Sequence, residues 1–357
     1  MAPCRSAWAD RVILRNLDII SDTAITSVDD DGLKLAGGRF IGWDEVERAT
    51  TISPRPSGEG PGARVAQEQI DERLKTLGEP LYRIRARLKV GDSTGLLKFA
   101  EPLADRFSAS QGRSAALVHT ALYRGLVEAG RYEEAVAPLL AASDGVARGF
   151  AKGFDGAIER ALELDPATGL AADLPPLFFD KEAAQKSLPI AFEVIRQMKA
   201  PLPASARLYY AGLLIVAGQP EKAPGALNGL PWNDALTPWR EVLLAGGEIA
   251  TKESERAIGR LLPRVAGFPP PARALAYYYL GTAQDDPPRD VLWLLHIPAA
   301  HATTYPHVTA MAIYQASEKL AERGDAAAAQ SLRQELRTQY PATHAAKRLS
   351  HDSEPEA

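Results

Sequence analysis

The spacing of apolar positions changes near residue 53. Before it, short apolar runs are divided by turn residues: Val12-Ile13-Leu14, Ile25-Thr26-Ser27-Val28, Leu33-Lys34-Leu35 and Arg39-Phe40-Ile41. Such runs predict strands, and hence a small β module over residues 10–52. Asp29-Asp30-Asp31-Gly32 lies between two of them, where a glycine after aspartate would supply the positive φ of a tight hairpin, and Ala36-Gly37-Gly38 marks the next turn. Residues 53–62 combine three prolines with three glycines and predict a flexible linker. From residue 63 the spacing is three and four, and Leu74, Leu77, Leu81, Ile84 and Leu88 share one helical stripe with a break near Gly78. Tyr82 to Val90 also alternates with period two, so a strand competes with helix there. Further helices are predicted at 94–108, 113–129, 132–144, 154–164, 181–199, 204–217, 221–229, 236–249, 253–266, 271–283, 308–323 and 325–340, with Gly and Pro in most of the gaps. Segments 167–180 and 296–307 carry prolines and read as connections that interrupt helix pairing, loops that cross a groove. Residues 350–357 are polar, contain a proline and present no apolar face, which predicts a disordered tail.

Within residues 63–349 a unit recurs in which a glycine is followed five positions later by alanine: Gly130 and Ala135, Gly218 and Ala223, Gly324 and Ala329. The glycine ends one helix and permits a tight reversal, and the alanine lets the paired helices approach closely. With these units the chain resembles the tetratricopeptide repeat family. Tyr277, Leu280 and Gly281 match the first-helix pattern of one unit, with Gln284 where that pattern has an aromatic. Ile313, Ala316, Ser317 and Leu320, then Gly324, Ala329 and Pro341, match another. Leu122, Tyr123 and Leu126 with Leu139, and Tyr210, Ala211 and Leu214 with Leu227, keep size better than identity. The resemblance covers residues 112–166 and 204–345. A spacing near 35 relates Leu214, Gln284 and Leu320, but Leu126 and Leu214 stand 88 apart, out of phase. It implies a mostly α chain, an irregular α-solenoid of helical hairpins behind the β module. Residues from Gln315 to Leu349 are similar to repeats of bacterial envelope-assembly proteins, and the strand count of residues 10–52 resembles the SH3-like and Sm-like barrels.

Composition narrows the function classes. With 46% apolar and 24% charged residues the chain has the make-up of a folded protein. A net charge of −4 supplies no basic field for nucleic acid, which is not an expected partner. The sequence has no apolar run of the roughly 18 residues that a membrane span needs. Cys4 stands alone and says nothing of redox compartment. Ser6-Ala7-Trp8-Ala9 before Asp10 has the small-x-small pattern of a signal-peptidase site, so the sequence raises the expectation of an upstream signal region ending at Ala9 and export to the periplasm; a chance match and a cytoplasmic protein is the competing reading.

Candidate chemistry is sparse. His296, His301 and His307 fall within twelve residues, but their spacing fits no standard zinc site. The aspartates Asp29 to Asp31 lack the ligand alternation of a calcium loop and read as a turn. Gly91-Asp92-Ser93-Thr94-Gly95 places a serine between glycines, yet no base is positioned for it, His119 included, and a turn with a helix cap explains it. Gly58, Gly60 and Gly62 lack the Lys-Ser/Thr ending of a phosphate loop. No cofactor or metal is expected. Arg83, Arg85, Arg87 and Lys89 form a basic cluster; Arg83 and Arg87 are candidate partner contacts, against the reading of a solvated helix face. Tyr277, Tyr278 and Tyr279, with Trp232, Trp239 and Trp293, are the aromatic candidates, and adjacent residues about 100° apart on a helix predict that at least one tyrosine leaves the packed face. The expected function is a non-enzymatic interaction scaffold that binds a protein or peptide in a helical-repeat groove, with the β module as a second contact. The alternative is a helical envelope enzyme acting on glycans or lipid-linked substrates through carboxylates distant in sequence.

Overall fold

The computed structural model describes residues 10–51, 65–231, 233–284 and 286–351. The linker predicted at 53–62, the cleavage pattern at 6–9, Cys4, Trp232 and most of the tail predicted at 350–357 lie outside the described residues. The chain is mostly helical with a small N-terminal antiparallel β module. It divides into two compact units, one of Met1–Gly125 with Ala141–Leu162 and one of Leu126–Leu140 with Glu163–Ala357.

In the first unit the β module has strands β1 (Asp10–Leu14), β2 (Ile19–Thr23), β3 (Ile25–Val28), β4 (Gly32–Leu35), β5 (Phe40–Gly42) and β6 (Val46–Thr50). They form two three-stranded sheets ordered β2-β1-β6 and β3-β4-β5. The four predicted runs fall in β1, β3, β4 and β5. Strands β2 and β6 are additional, because each carries too few apolar residues to form a run; they are fixed by pairing, Val12 standing opposite Ile20 on one side and Ala49 on the other. Gly32 does not have the positive φ expected of it. It is glycine because β5 passes so close that a Cβ would stand 2.0 Å from the Ile41 carbonyl oxygen. The turn is made by Asp29, whose Oδ1 accepts from the backbone N–H of Asp31 (2.9 Å) and Gly32 (3.1 Å).

The helices of this unit begin with α1 (Gln67–Arg73), which passes through a π-helical turn at Leu74–Gly78 into α2 (Glu79–Lys89). The break near Gly78 is thus a change of helical pitch, and Tyr82 to Lys89 are helix, not strand. Next come α3 (Leu96–Phe107), α4 (Arg113–Glu128), α5 (Tyr132–Ala147) and α6 (Ala157–Leu162), of which the end of α4 and the start of α5, within Leu126–Leu140, belong to the second unit. The β module is tied to these helices by charge. Asp30 accepts from Arg106 at 2.6 and 3.0 Å, and Asp31 Oδ1 accepts from the Ser114 backbone N–H at 2.7 Å, at the start of α4. Asp44, only 4% exposed, is bridged by Arg85 (2.7 Å) and Arg113 (3.0 Å).

The second unit continues with α7 (Lys181–Gln197), α8 (Ala204–Val216), α9 (Ala223–Leu227), α10 (Thr237–Ala250), α11 (Ser254–Leu261), α12 (Pro270–Ala283), α13 (Arg289–His301), α14 (Pro306–Glu322), α15 (Ala326–Gln339) and α16 (His344–His351). Each even-numbered helix from α8 to α14 packs on the helix that follows it, and α8, α10, α12, α14 and α16 pack one on the next in a row. The turns repeat as well. Gly130, Gly218 and Gly324 all adopt left-handed φ (71°, 87°, 83°) after a helix end. In each, the glycine N–H and the one after it donate back to carbonyls three and five residues earlier, as Gly218 to Ile215 (3.3 Å) and Gln219 to Leu214 (2.9 Å). Ala135, Ala223 and Ala329 are buried as their spacing implies. The same turn with a buried alanine five positions on is made with lysine in place of glycine: Lys252 has φ 66°, its N–H reaches Ile249 O, Glu253 N–H reaches Glu248 O, and Ala257 is fully buried.

The predicted connection at 296–307 is corrected, since its first half belongs to α13. Val291, Leu294, Ile297 and His301 make a buried stripe at helical spacing. That burial outweighs Pro298, which removes one helix hydrogen bond. A buried aspartate ties α13 to α14: Asp290 meets Lys319 at 3.0 Å and also Arg323. Burial pushes its pKa up, but hydrogen bonds from Arg323, Lys319 and the Val291 N–H outweigh this and hold it at about 2.

Candidate functional site: a seat for an irregular segment

Residues 167–180 form no helix, as predicted. Within the second unit they are gripped by side chains from four helices. The Tyr209 hydroxyl on α8 accepts from the Ala171 N–H (2.9 Å) and donates to the Leu174 carbonyl (2.7 Å). Gly212, one turn further along α8, leaves room for the Pro176 carbonyl oxygen, which a Cβ there would meet at 2.4 Å. His307 on α14 places Nε2 at 3.3 Å from the Leu177 carbonyl, so Nε2 carries the proton that is donated. Glu133 on α5 accepts at one carboxylate oxygen from both the Phe179 and Asp180 N–H groups, each at 2.9 Å. Asp180 then caps α7 through the Ala183 N–H (2.9 Å). The segment's own side chains Leu174, Leu177 and Phe178 are buried.

An aromatic cluster closes the seat. The His307 ring stacks on Tyr132 with centroids 4.0 Å apart, and Phe179 meets His307 and Tyr278 edge-on at 5.9 and 5.3 Å. Burial drives His307 down to about 4, only partly opposed by the Leu177 contact, so the ring is neutral at pH 7. Burial raises Glu133, against the two N–H groups that favour its charged form. The arrangement reads a non-helical main chain through side-chain donors and acceptors.

The three tyrosines point in three directions, and each direction is occupied. Tyr277 stacks on Trp293 of α13 (5.1 Å). Tyr278 meets Phe179 of the gripped segment. Tyr279 lies against Gly246 of α10, where a Cβ would come within 2.4 Å of its hydroxyl. All three are under 10% exposed. The expectation that one leaves the packed face is therefore corrected: the 100° step holds, but α12 has α10, α11, α13 and α14 packed around it. Trp239 is also buried.

The basic cluster on α2 is divided among local partners. Arg83 pairs with Glu79 at 2.6 Å, Arg85 with Asp44 and Glu45, and Arg87 with Asp92 and the Thr94 carbonyl. Asp92 Oδ1 accepts from the Thr94 N–H (2.9 Å), so the Gly91 to Gly95 stretch is a turn, and His119 is a buried ring whose Nε2 faces the Phe107 carbonyl at 3.1 Å. The three histidines of residues 296–307 separate, His307 into the seat and His296 and His301 onto Tyr277. Among the described residues no group of three His, Cys, Asp or Glu side chains is placed to hold a metal ion, and no helix is long and apolar enough to cross a membrane.

Sequence reasoning missed the exposed apolar side chains of α7. Helix α7 buries Ala184, Ser187, Leu188 and Ala191, and leaves Phe192 51% and Ile190 58% exposed on opposite flanks. Phe192 lies 6.0 Å from the half-buried Tyr210 of α8. The signal was present as Leu188-Pro189-Ile190-Ala191-Phe192, an apolar run too wide for one helical stripe. No known protein family, curated protein or solved structure matches the chain.

Proposed function

We propose that the chain is a non-enzymatic protein-binding scaffold, an irregular α-solenoid of tetratricopeptide-like hairpins that takes a short apolar segment of a partner protein at the α7–α8 flank. Neighbour-to-neighbour packing along α8, α10, α12, α14 and α16 supports the repeat reading. So does the turn spacing. From Gly218 to Lys252 is 34 residues, the tetratricopeptide length, and the next such step lands on Asp286 between α12 and α13. There Pro287 and Pro288 replace the left-handed turn, and Gly324 follows 38 residues on.

The observation that carries the binding reading is the seat itself. Tyr209, His307 and Glu133 read main-chain groups of residues 171–180, which is the chemistry by which a helical groove holds a peptide. The uncovered aromatic pair is Phe192 of α7 against Tyr210 of α8, a composition typical of binding hot spots. Selection of a displayed peptide library on the full chain tests this. Apolar peptides should be recovered, and Phe192→Ser should weaken them at least about tenfold while leaving the melting temperature within a degree or two, because Phe192 is half-exposed. Recovered peptides that bind Phe192→Ser and Ile190→Ser as tightly as the parent chain would place the partner elsewhere.

A further inference from the structure

Helix α13 carries two histidines that play no part in the seat. His296 is exposed, His301 is only 7% exposed, and their ring centroids stand 5.9 Å apart at an interplanar angle of 67°. Five residues of ideal helix would set them about 140° apart around the axis; Pro298 lies between them. Tyr277 of α12 backs both rings, 4.5 Å from His296 and 6.2 Å from His301. Neither ring nitrogen of His301 has a hydrogen-bond partner among the described residues, although both are enclosed. Such a group is costly unless something absent from the bare chain completes it.

We propose that His296 and His301 bind one late first-row divalent metal ion, Cu²⁺ more tightly than Ni²⁺ or Zn²⁺. The geometry admits a shared ion. With metal–nitrogen bonds of about 2.0–2.1 Å and the nitrogen roughly 1.1 Å from its ring centre, two imidazoles on one ion have centroids roughly 4.4 to 6.4 Å apart as the N–metal–N angle opens from about 90° to about 180°. The observed 5.9 Å falls inside that interval, at an angle of roughly 140°. Exposed His296 supplies the entry route. No third His, Cys, Asp or Glu among the described residues joins the pair, so water fills the remaining positions. A neutral nitrogen pair of this kind ranks ions by the ordinary divalent series, which puts copper first.

The test is titration of Cu²⁺ alone into the full chain, with glycine as a competing chelator and electron paramagnetic resonance as the readout. One equivalent should bind with a dissociation constant on the order of 10 µM or tighter and show nitrogen splitting from imidazole. His296→Gln and His301→Gln should each weaken that equivalent at least about tenfold. His344→Gln, on α16, should leave it unchanged. Because His296 is exposed, its variant keeps the fold and decides the matter even if His301→Gln does not fold. Binding of the first equivalent that is unaltered in His296→Gln, or absent from the parent chain, overturns the proposal.

Discussion

At the scale of single residues, Lys252 shows how much a local backbone requirement can hide. Its left-handed φ serves the same capped turn that glycine makes at positions 130, 218 and 324. A side chain in that conformation costs about 1 kcal/mol relative to glycine, because the Cβ crowds the following carbonyl. Lys252 is exposed, so nothing else is lost by removing its side chain. Lys252→Gly should therefore raise unfolding free energy by about 1 kcal/mol in a denaturant titration at unchanged slope. A neutral or destabilising result would mean that the lysine side chain makes up the difference elsewhere. The tyrosines are the opposite case, with their surroundings deciding what the local pattern could not. Helical geometry separates Tyr277, Tyr278 and Tyr279 correctly, but only the packing of α10 and α13 and of Phe179 against α12 shows that no direction is left open.

At the scale of elements, the segment 167–180 behaves as structure without being helix or strand. Tyr209→Phe leaves the Ala171 N–H and Leu174 carbonyl without their partner in a buried site, which should cost about 2 kcal/mol. Amide exchange within 171–180 should quicken beyond what the global loss explains. Exchange that rises evenly over the second unit would show that Tyr209 supports the whole fold and does not pin this segment. The segment's lack of helix was legible from its prolines and turn residues, and the glycine–alanine turns from their spacing. What held the segment was not legible, because Tyr209, His307 and Glu133 come from α8, α14 and α5, far apart in the chain. The strands β2 and β6 were hidden for a similar reason: pairing with β1, not their own composition, makes them strands. Helix α13 was half hidden by Pro298, whose local cost is outweighed by the buried stripe around it. The exposed flank of α7 was written in the sequence as surplus apolar residues, but which of them packs inward depends on α8.

For the whole molecule, acid stability follows from buried groups that oppose one another. Burial lowers the pKa of His119, His301 and His307, the last from 6.5 to about 4. As pH drops below the ordinary value the unfolded chain holds more protons at these sites than the folded chain, so stability falls, for His307 through the interval from 6.5 to about 4. For His307, which is fully enclosed, the loss reaches on the order of 3 kcal/mol by pH 4. Glu133 and Asp31 act in the other direction. Burial raises their pKa values, the folded chain takes the proton first, and stability is gained as pH falls through the raised values. Asp290, held at about 2, adds to the acid loss only below its ordinary value of 3.8. Denaturant titrations at pH 7.5 and pH 5 should therefore show lower stability at pH 5. His307→Phe keeps a ring against Tyr132 and removes the titrating group, so its stability should depend less on pH, whatever its absolute value. Glu133→Gln keeps an acceptor for the Phe179 and Asp180 N–H groups and removes the opposing carboxyl, so its dependence should be steeper than that of the parent chain. If His307→Phe retains the full pH dependence, the enclosed ring is protonated without loss of the seat, and the acid response belongs to the other two histidines.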